Sequence, residues 1–177
     1  MATALLIIDV QQALCAGEYE CFEIKRVIDT INGLGARARK AGIPVVLIQH
    51  EEERGPFVHD TAGWQLAEGL ETSTEDLRIR KTTPDSFYQT NLRKLLPERD
   101  FERLVICGLQ TDYCVNATVH QALTLGYDVV LAADAHSTVD NGALSAEDII
   151  AEHNKDLANL SGSVTRVDVI PAAAIKF

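Results

Sequence analysis

The most informative segment of this chain is Leu104-Val105-Ile106-Cys107-Gly108-Leu109-Gln110-Thr111-Asp112-Tyr113-Cys114. Its first four residues form an apolar run, which is typical of a strand that is buried on both faces. The following residues open a predicted helix over 112–125. In a parallel sheet, side chains just past the carboxyl ends of strands converge on one crevice, where α/β proteins bind ligands. The stretch therefore predicts a strand, a turn and a helix that together bring Cys114 to such a crevice.

Two further apolar runs also end in a reactive side chain. Residues 5–8 lead into Asp9, and residues 77–80 lead into Lys81. Each residue alone has an ordinary explanation: Cys114 as a buried residue on the inner face of its helix, Asp9 as a helix cap and Lys81 as a solvated charge. An acid, an amine and a thiol at three predicted strand ends together favour a nucleophilic active site.

Strand and helix signals alternate along the whole chain. The continuous apolar strands are typical of a sheet that helices cover on both faces. We therefore predict one α/β domain over residues 1–177, with a doubly wound parallel sheet. The predicted strands are 4–9, 43–48, 77–81, 103–107, 127–132 and 164–169. The predicted helices are 23–41, 64–69, 88–96, 112–125 and 143–160.

Composition narrows the classes of function. The chain has 177 residues, is 46% hydrophobic and 24% charged, and carries a formal net charge of −10. This acidity argues against nucleic acid as a partner. No run of eighteen apolar residues is present, so we expect no membrane span. The start of the chain has no basic segment of the kind that begins a signal peptide, so we expect a cytoplasmic protein.

Cysteine and glycine usage give two further expectations. The four cysteines lack a zinc-knuckle spacing and are expected to be reduced thiols: Cys15, Cys21, Cys107 and Cys114. No glycine-rich phosphate fingerprint follows the first predicted strand, so nucleotide binding is disfavoured. We expect an enzyme without a cofactor.

The turn before Cys114 suggests how its thiol is activated. Thr111 is a good N-cap residue, which places Cys114 at the third helical position. The helix dipole and nearby amide donors are expected to lower the pKa of such a thiol. The same amides can hold an oxyanion that forms when the thiolate attacks a carbonyl carbon.

Three motifs together resemble the isochorismatase-like cysteine hydrolase family, which includes nicotinamidases and N-carbamoylsarcosine amidases. The first is the apolar strand that runs into Asp9-Val10-Gln11, and the second is Lys81 followed by Asp85-Ser86-Phe87. The third is the stretch 107–115 with Cys114. The resemblance covers nearly the whole chain and includes the order of Asp, Lys and Cys.

This resemblance implies a three-layer α/β/α fold with a six-stranded, Rossmann-like parallel sheet. It implies hydrolysis of a small amide, ureido or hydrazide compound, with Cys114 as nucleophile, Asp9 as general base and acid, and Lys81 as their cationic partner. It also implies a cis peptide between Leu109 and Gln110, which would aim the Gln110 amide, with that of Cys114, at the oxyanion. A homo-oligomer, dimer or tetramer, is expected.

Two other functions are compatible with the same motifs. Some family members cleave the vinyl ether of isochorismate, and they typically carry glycine at the nucleophile position. Cys114 therefore favours amide hydrolysis over ether hydrolysis. A non-catalytic, thiol-sensing protein that uses the crevice only to bind a small molecule is the third possibility.

The sequence disfavours a metal site. Nicotinamidases of this family bind a divalent ion with an Asp-x-His pair after the second strand and a later His. Here His50 stands in place of the aspartate and Glu52 in place of the histidine, with His59 further on. The ligand pattern is broken, and a solvated acidic loop is the simpler interpretation. We therefore expect no metal.

Four residues are candidates for substrate contact. Leu14 lies where the family often has a pocket aromatic residue, and Tyr113 directly precedes the nucleophile. Trp64 follows a long polar loop, and His136 follows the fifth predicted strand. Each also has a structural interpretation: core packing for Leu14, Tyr113 and Trp64, and turn formation for His136.

Overall fold

Six parallel strands form one sheet in the computed structural model, which describes residues 2–95, 101–162 and 165–177. Their order is β3-β2-β1-β4-β5-β6. The strands are β1 (Ala2–Ile8), β2 (Val45–His50), β3 (Leu77–Lys81), β4 (Phe101–Leu109), β5 (Asp128–Ser137) and β6 (Val167–Ile170). The predicted six-stranded parallel sheet is confirmed.

Helices cover both faces of the sheet. They are α1 (Gln12–Cys15), α2 (Ile24–Lys40), α3 (Leu92–Leu95), α4 (Asn116–Thr124) and α5 (Ala146–Ala158). Buried residues of α2 belong to the hydrophobic core on one face, and those of α4 and α5 belong to the core on the other. This gives the three layers that the continuous apolar strands predict.

The central strand β1 shows why these runs are apolar throughout. Successive side chains of a strand point to opposite faces of the sheet. Leu5 and Ile7 join the core under α2, whereas Leu6 and Ile8 join the core under α4 and α5. Since both faces are covered, a polar residue at any of these positions would be buried without water.

The order of strands creates a crevice between β1 and β4. The chain first adds β2 and β3 on one side of β1 and then crosses to add β4 on the other, which makes this the topological switch point. Gly108 in β4 allows the two strands to approach closely here. Its φ is +119°, and a Cβ atom would collide with the carbonyl oxygen of Ile8.

The predicted helix at 64–69 is wrong, because this segment forms turns whose backbone groups bond to other parts of the fold. The carbonyl of Trp64 accepts hydrogen bonds from the side chains of Gln11 and Gln49, at 2.9 and 3.0 Å. The amide of Ala67 donates to the carbonyl of Val10. These tertiary partners replace the bonds that a helix would make.

Three other predicted helices differ from the structure. Within the described residues, only Leu92–Leu95 of the predicted helix 88–96 is helical, because Gln89 adopts a left-handed conformation with φ +52°; residue 96 lies outside the described residues. Helix 143–160 begins at Ala146, where the hydroxyl of Ser145 caps the amide of Asp148. The predicted helix 112–125 is divided into a π-helical turn and α4.

The predicted last strand, 164–169, is found as β6 from Val167, and residue 164 lies outside the described residues. A search of the described helices finds none that has both the length and the apolar character needed to cross a membrane.

Candidate active site

Side chains from three separate strand ends meet at the carboxyl edge of the sheet. The Nζ atom of Lys81 lies 2.7 Å from Oδ2 of Asp9 and 3.1 Å from Sγ of Cys114. Because β3, β2, β1 and β4 pair in this order and run parallel, the carboxyl ends of β3, β1 and β4 lie at the same edge of the sheet. The structure therefore brings together the acid, the amine and the thiol that the sequence analysis singled out.

Asp9 leaves β1 in a left-handed conformation, with φ +51°. Aspartate and asparagine adopt this conformation more readily than most other residues. The amide of Asp9 donates to the carbonyl of Ile48 at 2.8 Å, and the residue is only 1% exposed. Its Oδ1 atom has no hydrogen-bond partner among the described residues. The site thus contains a buried acceptor atom that can receive a proton or a donor group.

Lys81 is a buried cation with several polar neighbours. It is 2% exposed, it donates to the carbonyl of Thr83 at 3.1 Å, and it lies 3.5 Å from Nδ1 of His50. Burial by itself lowers the pKa of Lys81, but the charge of Asp9 and the interaction with Cys114 outweigh it, so that the pKa is raised. Lys81 is therefore an ammonium ion that holds the other two groups in place.

Cys114 lies in the π-helical turn Thr111–Val115, between β4 and α4. The expected lowering of its pKa is wrong. Burial, followed by the charge of Asp9, raises the pKa of the thiol to about 12, although Lys81 acts in the opposite direction. Cys114 is therefore a neutral thiol in the resting site.

A chain of hydrogen bonds holds the start of this turn. The Thr111 hydroxyl donates to Nδ1 of His136 at 2.8 Å, and Nε2 of His136 donates to Oδ1 of Asn154 at 2.9 Å. The Asn154 amide donates to the carbonyl of Ala133, which orients its oxygen towards His136. Burial is the largest cause that lowers the pKa of His136 to about 4, so the imidazole is neutral. We call Thr111, His136 and Asn154 the turn brace.

The turn brace corrects two expectations. Thr111 does not cap the helix, since its hydroxyl is used by His136 and the turn begins after Gln110 without a side-chain cap. His136 does not line the cleft at the site; it is 1% exposed and both ring nitrogens are engaged. The side chain of Asp112 adds a further anchor, because it accepts a hydrogen bond from Thr138 at 2.6 Å.

Gln11 is a site residue to which the sequence analysis gave no role. Its carboxamide donates to the carbonyls of His50 and Trp64, both at 2.9 Å, and accepts from the amide of His50 at 2.8 Å. It therefore fixes the end of β2 beside Asp9. The available signal was weak: Gln11 lies two positions after Asp9, but it is followed by a second glutamine, Gln12.

A cleft of about 330 Å³ opens above Cys114. It is lined by Asp9, Leu14, His50, Glu52, Phe57, Thr82, Pro84, Gln110, Tyr113 and Cys114. Leu14 and Tyr113 lie on its wall, as does Gln110, and the peptide bond between Leu109 and Gln110 is cis. Phe57, Thr82 and Pro84 were not anticipated, since they come from loops whose path the sequence does not define.

Trp64 does not line this cleft. It is 8% exposed, and its ring stacks edgewise on His59 with 4.5 Å between the ring centroids. The packing interpretation is the one that the geometry supports, so Trp64 is no longer a candidate for substrate contact.

The three residues considered for a metal site do not converge. Nε2 of His50 lies 3.2 Å from Oε1 of Glu52, but His59 faces Asp60 and Trp64. Across 2–95, 101–162 and 165–177, no group of three or more His, Cys, Asp or Glu residues has an arrangement that could hold a metal ion.

Fold and site together define a class: a three-layer α/β protein whose switch-point crevice holds an acid, an amine and a thiol. Residues 3–165 match the sequence model of the isochorismatase domain, and the chain belongs to the isochorismatase family of hydrolases.

Relatives and a solved structure agree with this assignment. Streptothricin hydrolase of Streptomyces noursei is 37% identical over 98% of this chain, which spans 64% of that protein's length, slightly less than two thirds. Ureidoacrylate amidohydrolase of Pseudomonas savastanoi is 28% identical over 75% of this chain and 69% of its own length. A crystal structure of an isochorismatase family protein is 36% identical and superposes with a TM-score of 0.85, covering 94% of this chain and 97% of that one.

Proposed function

We propose that this chain is a cysteine hydrolase that cleaves the C–N bond of a small amide, ureido or hydrazide compound through a thioester. One observation carries the proposal: a single buried ammonium, on Lys81, contacts both a carboxylate and a thiol beneath a cleft. Two relatives are named as a streptothricin hydrolase and as a ureidoacrylate amidohydrolase, and the second name denotes amide hydrolysis.

The charges of the resting site determine how the nucleophile forms. With Asp9 as an anion, Lys81 as a cation and Cys114 as a thiol, the buried charges sum to zero. Ionisation of Cys114 alone would add a third buried charge, which agrees with a thiol pKa of about 12. Transfer of the thiol proton to Asp9 leaves the total charge unchanged. The thiolate therefore forms by proton transfer to Asp9 during attack.

The first half of the reaction forms the thioester. Sγ of Cys114 bonds to the carbonyl carbon while its proton passes to Asp9, which acts as general base. Asp9 then gives this proton to the leaving nitrogen, the C–N bond breaks, and ammonia or an amine departs. Asp9 is again a carboxylate, and the acyl group remains on Cys114.

The second half releases the acid. Asp9 takes a proton from a water molecule whose oxygen attacks the thioester carbon. The C–S bond breaks, and the departing thiolate of Cys114 takes the proton back from Asp9. Lys81 stabilises the thiolate in both halves because its charge lies 3.1 Å from the sulfur atom.

The backbone amides of Gln110 and Cys114 are the proposed oxyanion hole for the two tetrahedral intermediates. Both residues line the cleft, and the cis peptide before Gln110 is present as the resemblance implied. Leu14 and Tyr113, on the same wall, are the proposed substrate contacts.

A panel of small amides, ureido compounds and hydrazides tests this function by measuring the release of ammonia or amine. The wild type is expected to turn over at least one compound, and intact-mass spectrometry of acid-quenched samples is expected to show an acyl group on Cys114. Asp9→Asn is expected to lose at least about 99% of turnover, and Cys114→Ala is expected to form no acyl-enzyme. Cys15→Ala is the matched control, because it removes a half-buried thiol that does not line the cleft.

Two outcomes would contradict the proposal. Turnover of isochorismate that survives Cys114→Ala would identify an ether hydrolase that needs no nucleophile. Wild-type turnover of the panel by Asp9→Asn would exclude the proposed base.

We also propose that the chain forms a symmetric homo-oligomer. In support, three large apolar side chains that do not line the cleft are exposed: Tyr19, Phe22 and Leu144. Light scattering coupled to size-exclusion chromatography is expected to give a dimer or tetramer mass, and a monomer mass at micromolar concentration would contradict the proposal.

A further inference from the structure

His50 lies next to Lys81 on the neighbouring strand. The two residues are partners in the parallel pairing of β2 with β3, so their side chains project to the same face of the sheet. Nδ1 of His50 lies 3.5 Å from Nζ of Lys81, and His50 lines the cleft above Cys114. This imidazole takes no part in the proton transfers of the proposed reaction, although it borders the reacting groups.

Several contacts hold His50 in place. The carboxamide of Gln11 accepts a hydrogen bond from its backbone amide at 2.8 Å and donates one to its carbonyl at 2.9 Å. The ring of Phe57 packs edgewise against the imidazole, with 5.5 Å between the ring centroids. Nε2 lies 3.2 Å from Oε1 of Glu52, and the His50 side chain is only 14% exposed. Since both the backbone and the ring are restrained, the position of Nδ1 is well defined.

The neighbours of the two ring nitrogens determine which nitrogen carries the proton. A lysine ammonium group only donates hydrogen bonds, and a carboxylate only accepts them. Nδ1 faces Lys81 and must therefore carry a lone pair, whereas Nε2 faces Glu52 and carries the hydrogen. A proton on both nitrogens would place two donors and two positive charges 3.5 Å apart. Glu52 thus fixes the tautomer that presents an acceptor to Lys81.

The ammonium group of Lys81 has more acceptors within reach than hydrogens. Among the described residues, four acceptors share its three hydrogens: Oδ2 of Asp9 at 2.7 Å, Sγ of Cys114 at 3.1 Å, the carbonyl of Thr83 at 3.1 Å and Nδ1 of His50 at 3.5 Å. In the proposed reaction the thiol proton moves from Cys114 to Asp9, so the charges of these two partners change. The carbonyl of Thr83 and the imidazole keep their charge, and they can hold the ammonium group while the proton moves.

From these contacts we infer that His50 is a positioning residue of the reaction, which holds the ammonium group of Lys81 through Nδ1. Lys81 is thereby kept within reach of Asp9 and Cys114 while the thiol proton is transferred. This inference rests on the proposed function for that transfer, and it adds a residue that acts on the thiol only through Lys81.

A pair of variants separates the two nitrogens of the ring. The amide oxygen of His50→Asn takes the place of Nδ1 and can accept a hydrogen bond from Lys81. The longer side chain of His50→Gln places its amide where Nε2 was and leaves Lys81 without this acceptor. Both variants lose the contact of the ring with Phe57, so a difference between them reports the acceptor rather than the loss of the ring.

Methyl methanethiosulfonate measures the reactivity of Cys114 without knowledge of the substrate. The thiolate attacks the sulfenyl sulfur of the reagent, a mixed disulfide forms and methanesulfinate departs. Because the ammonium group of Lys81 stabilises this thiolate, its displacement slows the reaction. Relative to the wild type, His50→Gln is expected to react about tenfold more slowly and His50→Asn less than about threefold more slowly. Peptide mass spectrometry reads the rate at Cys114.

His120→Gln is the matched control, because it makes the same substitution at an exposed position on α4 and is expected to leave the rate unchanged. Cys107 reports on the fold in the same samples, since it is 0% exposed and its labelling is expected to stay at the wild-type level. Equal rates at Cys114 in His50→Asn and His50→Gln would overturn the inference.

The Lys81→Met background tests whether His50 acts through Lys81. The ammonium group is absent there, so adding His50→Gln is expected to change the rate at Cys114 by less than about twofold. A loss as large as the one in the presence of Lys81 would show that His50 reaches the thiol by another route, and it would overturn the inference.

The result is distinguishable from failure of the proposed function. Turnover that requires Cys114, together with equal rates in the two His50 variants, would leave the hydrolase intact and overturn only the role of His50. A slower rate in His50→Gln than in His50→Asn, in a protein whose turnover survives Cys114→Ala, would support the contact of His50 with Lys81 and overturn the thioester mechanism.

Discussion

Two largely buried polar clusters lie at the carboxyl edge of the sheet, and they differ in how completely hydrogen bonds satisfy their polar groups. The turn brace is neutral, and both ring nitrogens of His136 are engaged in hydrogen bonds. The cluster of Asp9, Lys81 and Cys114 contains two opposite charges and a carboxylate oxygen that has no hydrogen-bond partner among the described residues. Asp9 and Cys114 line the cleft, so we call the cluster of Asp9, Lys81 and Cys114 the open cluster.

This difference in hydrogen bonding separates a structural role from a chemical one. A satisfied network makes one arrangement much more stable than others, which suits the support of a turn. An acceptor without a partner is a cost in the resting protein that a ligand or a transferred proton removes. We expect substitutions in the open cluster to affect activity first, and substitutions in the turn brace to affect stability first.

The largest effect is expected from Asp9→Asn. Asparagine keeps the shape and tolerates the left-handed backbone, but it cannot take the thiol proton, so kcat/KM is expected to fall by about 10²–10⁴-fold. Lys81 also loses its counter-ion, which is expected to lower the free energy of unfolding by about 3–5 kcal/mol. Amine release and urea unfolding measure the two effects.

The double variant Asp9→Asn/Lys81→Met separates the loss of activity from the loss of stability. Because it leaves no unpaired charge in the interior, it is expected to be more stable than Asp9→Asn alone while remaining inactive. Equal stability of the single and double variants would show that the charge of Lys81 is not what destabilises the single one.

The next effect concerns pH. The pKa of His136 is about 4 in the folded protein and about 6.5 in the unfolded chain. Between these values the unfolded chain binds the additional proton, so stability falls as the pH falls from about 6.5 to 4, by about 3 kcal/mol in total. His136→Asn is expected to remove this part of the pH dependence in urea unfolding. An identical slope in the variant and the wild type would contradict a neutral, buried His136.

A smaller effect is expected in the turn brace from Thr111→Val. The variant keeps the shape but leaves Nδ1 of His136 without its donor, and the free energy of unfolding is expected to fall by about 1–3 kcal/mol. The turnover number is expected to fall less than about tenfold, since no reacting group is removed. Thr111→Ser, which retains the hydroxyl, is the control. A fall in the turnover number of more than about tenfold would contradict a purely supporting role for Thr111 and assign it to the open cluster.

The smallest effect is expected from Tyr113→Ala at the rim of the cleft. Tyr113 is 59% exposed, so the free energy of unfolding is expected to change by less than about 0.5 kcal/mol, while KM rises because a wall of the cleft is lost. Tyr88→Ala is the matched control, since Tyr88 is 54% exposed and does not line the cleft. An unchanged KM in Tyr113→Ala would exclude substrate contact at this position.

The fold could be predicted because its signals are local. Where both faces of a strand are covered, as in residues 4–8 of β1, the side chains are apolar throughout, and the reactive residue that follows lies at the sheet edge. Segments whose backbone bonds go to distant partners could not be predicted. The segment 64–69 lacks a helix because side chains of Gln11 and Gln49 bond to it, and these contacts span 53 and 15 residues.

The candidate site could be predicted only in part, because several of its contacts join residues that are distant in the sequence. Asp9, Lys81 and Cys114 could be located because each lies at the end of a strand or in the turn that follows it. His136 was placed at the right edge with the wrong neighbours, because its two hydrogen-bond partners lie 25 and 18 residues away. The direction of the pKa shift of Cys114 was also wrong, because the sequence shows the turn but not the burial that outweighs it.

The parallel α/β architecture, the order of its elements and the three residues at the strand ends can all be predicted from the sequence alone. Both the continuous apolar runs and the residues after them are properties of short segments. The raised pKa of Cys114, the hydrogen bonds of His136 and the loop residues that line the cleft follow only from the three-dimensional contacts. These depend on burial and on charges brought close from distant segments, and electrostatic energies follow distance in space rather than distance along the chain.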